Sequence, residues 1–466
     1  MSCATTRHAC CVRQWIRTGN TDRKGALLAM KHWCKRTLLV LTMVILGCLA
    51  SGCVASSSVE ELFTLPQPPM EYEGLSHIIS KMISDGYEYA SPNSGENIQS
   101  VQMVDLNGDG IDEAVAFFRK PGGEKQLQIK VFSARKESYK ELCTIESSGT
   151  AIDSVYYQDM NNDGVLDLVV GWKISADLQT VAVYAVGKEP VMLMQNGYTR
   201  YSIQDMNDDG IPSLLLFRAD SKGNSVAEFY GWQEDAMDLV YSCSLSSTMV
   251  ELASGSIVNG RLDADTPAVF VTGVNEQGMA VTDILVCQEG GSLSNAALNG
   301  STGLSDVVHP YFQLDPQDID GDGIIEVPVP LEQNGKKRQN DGLISWQNFD
   351  TNGNSWQSVM TYHCSSRGWY FTVPEEWEDH LSTEPSESGI NESCVTLKLD
   401  GEPIVHIYAI TGENRENKAI RGNRMVIKRQ VSIVYAGELL EGSEQWGMDA
   451  DFLRSHFNLI VESWTD

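Results

Sequence analysis

The polar and apolar pattern of this 466-residue chain changes character along its length. An apolar run at 38–46 follows Lys31, Lys35 and Arg36. Leu75, Ile78, Ile79 and Met82 then share one face at helical spacing, which predicts a short helix over 74–84. From there on, short runs rich in β-branched and aromatic residues alternate with Gly, Asn, Asp and Ser, the signature of strands and turns. Predicted strands are 99–104, 113–118, 127–132 and 139–145, then 152–158, 167–171, 180–186 and 191–194. Comparable runs recur at 343–349 and 356–362. No long amphipathic helix separates them, which argues against βαβ units.

One segment repeats in phase with these strands. It reads DLNGDGIDEAVAF at 105, DMNNDGVLDLVVG at 159, DMNDDGIPSLLLF at 205, NGRLDADTPAVFV at 259 and DIDGDGIIEVPVP at 318, at spacings of 54, 46, 54 and 59 residues. A period near fifty implies an array of one supersecondary unit. Five units of about four strands each fit an all-β fold, a β-propeller, in which radial closure hides strand edges. Residues 74–98 are where a sixth, degenerate blade would lie.

The acidic part of each repeat carries its chemistry. Counting from the first residue, the first loop places side-chain oxygens at positions 1, 3, 5 and 9, on Asp105, Asn107, Asp109 and Glu113. Gly110 at position 6 can take a positive φ, and Ile111 at position 7 offers a backbone carbonyl. The second loop matches with Asp159, Asn161, Asp163, Val165 and Asp167, and the fifth with Asp318, Asp320, Asp322, Ile324 and Glu326. Such an oxygen-rich, partly main-chain shell suits Ca²⁺ better than Mg²⁺. Without an ion, two carboxylates 5 Å apart repel by roughly 3 kcal/mol at an effective dielectric of about 20. The third loop keeps Asp205, Asn207 and Asp209 but has Ser213 at position 9, so it is a weaker site. The fourth has Arg261 at position 3 and Pro267 at position 9, which argues against an ion. An EF-hand needs a Glu at position 12 and a following helix. Here position 12 is Ala116, Val170 or Val329, followed by a strand-like run.

These repeats resemble the FG-GAP (VCBS-type) repeats of integrin-like β-propellers. The stretches YEYASPNSGENIQSVQMVDLNGDGIDEAVAFF and DGVLDLVVGW are similar to those of repeat-bearing lipoproteins of Clostridia-like bacteria. The resemblance covers about residues 85–363. It implies calcium in a structural role and partners on the blade loops.

Beyond about residue 366 the pattern becomes mixed. GWYFTVPEEWEDHL reads as a strand and a helix start, with Pro374 suited to the first turn. Strands follow at 394–399, 404–410 and 425–435, and Asp449 or Asp451 can cap a final helix. This predicts a small α+β domain over 366–466, after a propeller at 74–365.

The N-terminal pattern reads as a signal peptide: a basic segment, then an apolar run too short to span a bilayer. ASGC ending at Cys53 resembles the bacterial lipobox and makes Cys53 the lipid attachment site, ahead of Cys48. The signal has normal length if the true start is Met30. Residues 1–53 are thus leader and 54–73 a linker. Loss of residues 1–52, with eight Lys or Arg and one Asp, takes the formal charge from −29 to −36. That balance disfavours nucleic acid and favours bound cations.

Five cysteines follow Cys53, and none forms a CxxC. They read as small buried residues, with Cys364–Cys394 the one pairing to test. Nucleophile elbows, HExxH, P-loops and dinucleotide fingerprints are absent from the sequence. EEWEDH at 375–380 reads as a solvated helix start and KKRQ at 336–339 as a hairpin loop, the latter a conceivable contact for anionic wall polymer. The expectation is a lipid-anchored, extracytoplasmic binding or scaffold protein with structural calcium, more in keeping with a non-enzyme, its partner a surface protein or polysaccharide. The alternative is a carbohydrate-active hydrolase or lyase with two carboxylates in a propeller funnel.

Overall fold

A computed structural model describes residues 72–135, 138–288, 291–331 and 341–460. The leader, Cys53, most of the linker, and residues 336–339 lie outside the described residues.

The described residues form six antiparallel sheets that follow one another in chain order. The second, for example, runs Ala151–Gln158, Asp167–Lys173, Gln179–Ala185, Val191–Tyr198, and the third Arg200–Gln204, Ser213–Ala219, Ser225–Gln233, Ala236–Ser244. The strands expected over 99–145, 152–194 and 343–362 match the observed ones to within a few residues, whereas the strand expected over 425–435 is broken by a bend into Met425–Arg429 and Ile433–Leu439, which pair as a hairpin. In the first four sheets the acidic segment, or its counterpart in the fourth, joins the first and second strands. In the fifth the first strand is reduced to one bridge, Gln317 to Glu326, immediately before Val327–Pro330.

Two-residue alternation explains how the sheets stack. On Asp167–Lys173, Leu168, Val170 and Trp172 pack toward the first sheet, with Val115 and Phe117. Val169, one residue out of phase, packs toward the third sheet with Leu214 and Leu216. Leu215 and Phe217 then meet Val269 and Val271 of the fourth sheet, whose Ala268 and Phe270 meet Val327 and Phe349 of the fifth. Each second strand is therefore buried on both faces and reads as a continuous apolar run.

The ends of the array differ from its middle. Helix α1, Glu73–Ser84, lays Leu75 and Ile79 on the outer face of the first sheet against Ala114, Ala116 and Phe118. Glu88–Tyr89 adds an edge strand to that sheet. Residues 74–98 thus cover and extend the first sheet and form no sheet of their own. Among the described residues, no apolar cluster joins the first sheet to the last.

The region after 366 is more strand-rich than its pattern suggested. Trp369–Val373 pairs with Ser355–Cys364, so the strands on either side of 365/366 belong to one sheet. The sixth sheet has the order Leu381–Gly389, Glu392–Leu399, Glu402–Thr411, Ile433–Leu439, Met425–Arg429. A shared core of Tyr362, Trp369, Phe371, Leu397, Ile407 and Tyr435 binds it to the fifth. The expected helix after Pro374 is one 3-10 turn, Glu375–Trp377, held by buried Trp377. The final helix, Ala450–His456, is capped by Asp449 as expected, but Phe457–Leu459 then returns as a strand on Trp369–Val373. The Phe457 ring stacked on Trp369 favours that ending over further helix. All five described cysteines are free, so Cys364 and Cys394 are buried apart, on different strands of neighbouring sheets.

Gly260 shows how closely adjacent sheets approach. A methyl group there would overlap Cγ1 of Ile325, the residue before Glu326. Gly260→Ala should cost about 1–3 kcal/mol in urea unfolding, the usual overpacking penalty.

Candidate metal centres

The acidic loops share one backbone path. Positions 4 and 6 are left-handed in every copy that keeps the motif: Gly108, Asn162, Asp208 and Gly321 at position 4, Gly110, Gly164, Gly210 and Gly323 at position 6. Those residue types tolerate positive φ best. Two such residues per turn fold the chain back on its own carboxylates. In the fifth loop Asp318 Oδ1 accepts from the backbone N–H groups of Gly321 (2.7 Å) and Asp322 (3.1 Å), and Oδ2 from that of Gly323 (2.9 Å). Asp320 accepts from Asp322 N–H (3.2 Å) and Asp322 from Ile324 N–H (2.8 Å). The second loop repeats this: Asp159 accepts from Asp163 (3.1 Å) and Gly164 (2.9 Å), Asn161 Oδ1 from Asp163 (3.1 Å), and Asp163 from Val165 (2.9 Å). In the first, Asp105, Asn107 and Asp109 hold Asp109, Gly110 and Ile111 in the same way.

Position 9 differs from the others because it opens, or in the fifth copy immediately precedes, the doubly buried second strand. Glu113, Asp167 and Glu326 are buried, whereas most other loop carboxylates are exposed. Each accepts one backbone N–H from position 2: Glu113 from Leu106 (3.1 Å), Asp167 from Met160 (2.9 Å) and Glu326 from Ile319 (3.1 Å). The second oxygens of Asp167 and Glu326, Oδ1 and Oε1, are buried with no hydrogen-bond partner. In the first loop Glu113 Oε1 accepts from Asn107 Nδ2 at 3.3 Å.

Burial, opposed by the backbone N–H of Ile319 and reinforced by Asp320, Asp322 and Asp318, pushes the Glu326 carboxyl up to about 7. Asp167 is pushed up to about 7 by burial, against the backbone N–H of Met160 and, more weakly, that of Asn161, with Asp163 and Asp159 adding to the rise. Glu113 is raised, again chiefly by burial, with Asp109 and Asp105 contributing. A buried carboxylate with an orphaned oxygen calls for a proton or a cation.

The fifth loop is the tightest. Carboxylate oxygens of Asp318, Asp320 and Glu326 all lie within 4.8 Å of one another, the one such trio among the described residues. Oxygens so spaced fit around an ion bound at about 2.3–2.6 Å. An acidic cluster able to hold a metal ion is thus built here. Asp322 lies outside the trio. Asp320 Oδ2 also accepts from Ser358 Oγ (3.2 Å), a hydroxyl brought in from a later strand with no signal in the sequence.

No protein-family model matches the chain, and no curated protein matches its sequence. Among solved structures, the chain is similar to an exotype rhamnogalacturonan lyase, YesX, at 13% identity and a TM-score of 0.27 over 59% of this chain. It spans 65% of that lyase's length. It is also similar to an exo-β-1,3-galactanase from Phanerochaete chrysosporium, at 9% identity and a TM-score of 0.27, over 76% of this chain and 89% of that one. Scores this low carry no argument about this chain's chemistry.

The degenerate copies have been put to other use. In the third loop Asp205 holds Asp209 (3.2 Å) and Gly210 (2.7 Å), while Asn207 donates to Asp209 at 2.7 Å. Its position 9, Ser213, supplies no buried charge. In the fourth, Asn259 accepts from Ser202 Oγ (2.5 Å) and donates to the Ile203 carbonyl (3.0 Å), both in the third sheet. Arg261 lies 3.6 Å from Asp208 of the third loop. Its carbonyl accepts from Ile325 N–H (2.9 Å), and the Leu106 carbonyl accepts from Leu166 N–H (2.7 Å). Loops one and two are thereby joined, as are three, four and five.

Other candidate groups are accounted for locally. Asp283, raised by burial, accepts from Ser246 N–H (2.8 Å), Ser246 Oγ (2.6 Å) and Asn295 Nδ2 (2.7 Å), a tie between sheets. In EEWEDH, Glu378 accepts from Gln357 (2.6 Å) and His380 pairs with Asp400 (2.7 Å). His363 is buried against Trp346 and Tyr370, and burial lowers its pKa to about 3, keeping it neutral.

Proposed function

We propose that this is a calcium-stabilised, blade-built binding protein of the cell exterior, anchored by lipid at Cys53. The supporting observation is the orphaned, buried oxygen of Asp167 and of Glu326, at the same position of two loops in phase. Calcium would be held in the second and fifth loops by positions 1, 3, 5 and 9 and the carbonyls of Val165 and Ile324. The first loop would use Asp105, Asn107, Asp109, Glu113 and the Ile111 carbonyl once the Asn107 amide turns from Glu113. The ion supplies charge neutralisation and cross-linking, tying each loop to the start of a buried strand. That role is structural, as in the FG-GAP repeats the loops resemble. The five repeat-bearing sheets are read as propeller blades and the sixth sheet as the added C-terminal element. Partners, a surface protein or polysaccharide, would meet the exposed inter-strand loops.

Elemental analysis of protein purified without chelators tests the metal: two to three calcium atoms per chain are expected, and none would overturn the reading. Cys53→Ser should move the protein from the membrane fraction to the soluble fraction. Retention on membranes would refute the assignment of the anchor.

A further inference from the structure

The surface most out of character with the rest of the molecule is one end of the sixth sheet. The chain has 63 Asp and Glu against 34 Lys and Arg. Yet residues 411–431 contain Arg415, Lys418, Arg421, Arg424, Lys428 and Arg429 against only Glu413 and Glu416. The same end carries three of the more exposed large apolar side chains: Val431 at 94% exposure, Ile390 at 85% and Ile420 at 61%.

Hydrogen bonds bring Ile390 and Val431 beside Lys418 and Arg415. The short helix Arg415–Ala419 is anchored by buried Ala419. Its Lys418 Nζ donates to the Ile390 carbonyl (2.7 Å), and its Arg415 donates to the carbonyls of Val431 (3.1 Å) and Gly412 (3.1 Å). Ile420 directly follows the helix. Arg424 is committed inward, to buried Glu392 at 2.8 Å and over the Tyr408 ring, and Arg429 pairs with Glu416 at 3.2 Å. Arg415 and Lys418 are half-buried and hydrogen-bond to neutral carbonyls, with no carboxylate partner. Arg421 is exposed, whereas Lys428 pairs in register with Tyr435 and so lies on the sheet face away from this helix.

We infer that this end of the sixth sheet docks on a bilayer surface containing anionic lipid. Cations alone would suit any polyanion. The added feature is three β-branched side chains on separate turns, each flanked by cations. That combination matches the interface of a bilayer, where apolar tips enter the acyl boundary and Lys or Arg meet the headgroups. It uses no residue of the acidic loops, so it stands apart from the calcium reading. Docking here would fix which face of a tethered protein points outward.

The test is hydrogen–deuterium exchange on the full chain carrying Cys53→Ser, at constant calcium. Exchange is compared with phosphatidylcholine–phosphatidylglycerol vesicles, pure phosphatidylcholine vesicles and soluble polyphosphate. Amides at 389–391 and 411–431 should gain protection with the anionic vesicles alone, and lose it in high salt. Affinity should fall about fivefold in Arg421→Gln, the one exposed cation of this end without a carboxylate partner, and should be unchanged in Lys428→Gln on the opposite sheet face. Ile390→Asp with Val431→Asp should abolish protection while leaving the melting temperature unchanged. Absence of protection at this end would overturn the inference. So would equal protection by polyphosphate that survives the Asp substitutions, which would make this a polymer site.

Discussion

Metal-stripped protein at pH 8 will melt on the order of 10 °C below the calcium-loaded form. A ligand at a hundredfold excess over its dissociation constant stabilises a fold by about 2.7 kcal/mol per site. Three sites give about 8 kcal/mol, and in a chain this large each kcal/mol moves the midpoint by roughly 1–2 °C. The pH dependence has a definite sign. Asp167 and Glu326 titrate near 7 in the fold, against ordinary values of 3.8 and 4.5. Between those values and 7 the folded chain binds more protons than the unfolded one, so stripped protein loses stability as pH rises. It should be most stable toward pH 4 on this account and decline through pH 7. Calcium requires the ionised carboxylates, so its stabilising increment should grow over the same interval. Scanning calorimetry from pH 5 to 8 with and without calcium reads both trends. Coincident curves would dismiss the clamps.

Glu326→Gln should reverse sign with calcium. In stripped protein the substitution removes a buried charge that has only one partner, and its amide oxygen can still accept from Ile319 N–H. A gain of about 1–3 kcal/mol is expected at pH 8, the usual cost of an unsatisfied buried polar group. With calcium the same change deletes an anionic ligand from the tightest trio, and affinity at that site should fall at least tenfold. Urea unfolding at fixed pH, with and without calcium, separates these effects. Asp167→Asn should behave alike, whereas Asp205→Asn should show neither effect, because Ser213 leaves no buried charge behind the third loop. Loss of stability in both conditions would mean that Glu326 is an ordinary structural carboxylate.

Much of the site was legible because a loop with a fixed hydrogen-bond pattern constrains its own sequence. Oxygens at positions 1, 3 and 5 and Gly at position 6 follow from local backbone geometry. Position 4 carried an equally local signal, in Gly108, Asn162, Asp208 and Gly321, that reading for ligands alone passes over. The roles of Ser358 and Arg261 were not legible, since each acts on a loop far from it in sequence. The C-terminal region misled for a related reason. Helix caps at Pro374 and Asp449 are real local signals, but Trp377 and Phe457 are claimed by one aromatic core, which stops both helices early.

The chain by itself determined the strands, their phase with the acidic repeats and which carboxylates line each acidic loop, because all of these are set within a dozen neighbouring residues. Only tertiary structure decided that Asp167 and Glu326 would be buried, that helix α1 and not another sheet would cover the first sheet, and that Ile390 and Val431 would be brought beside Lys418 and Arg415. Burial and long-range pairing depend on which sheets stack and how closely, and no local stretch of sequence carries that information.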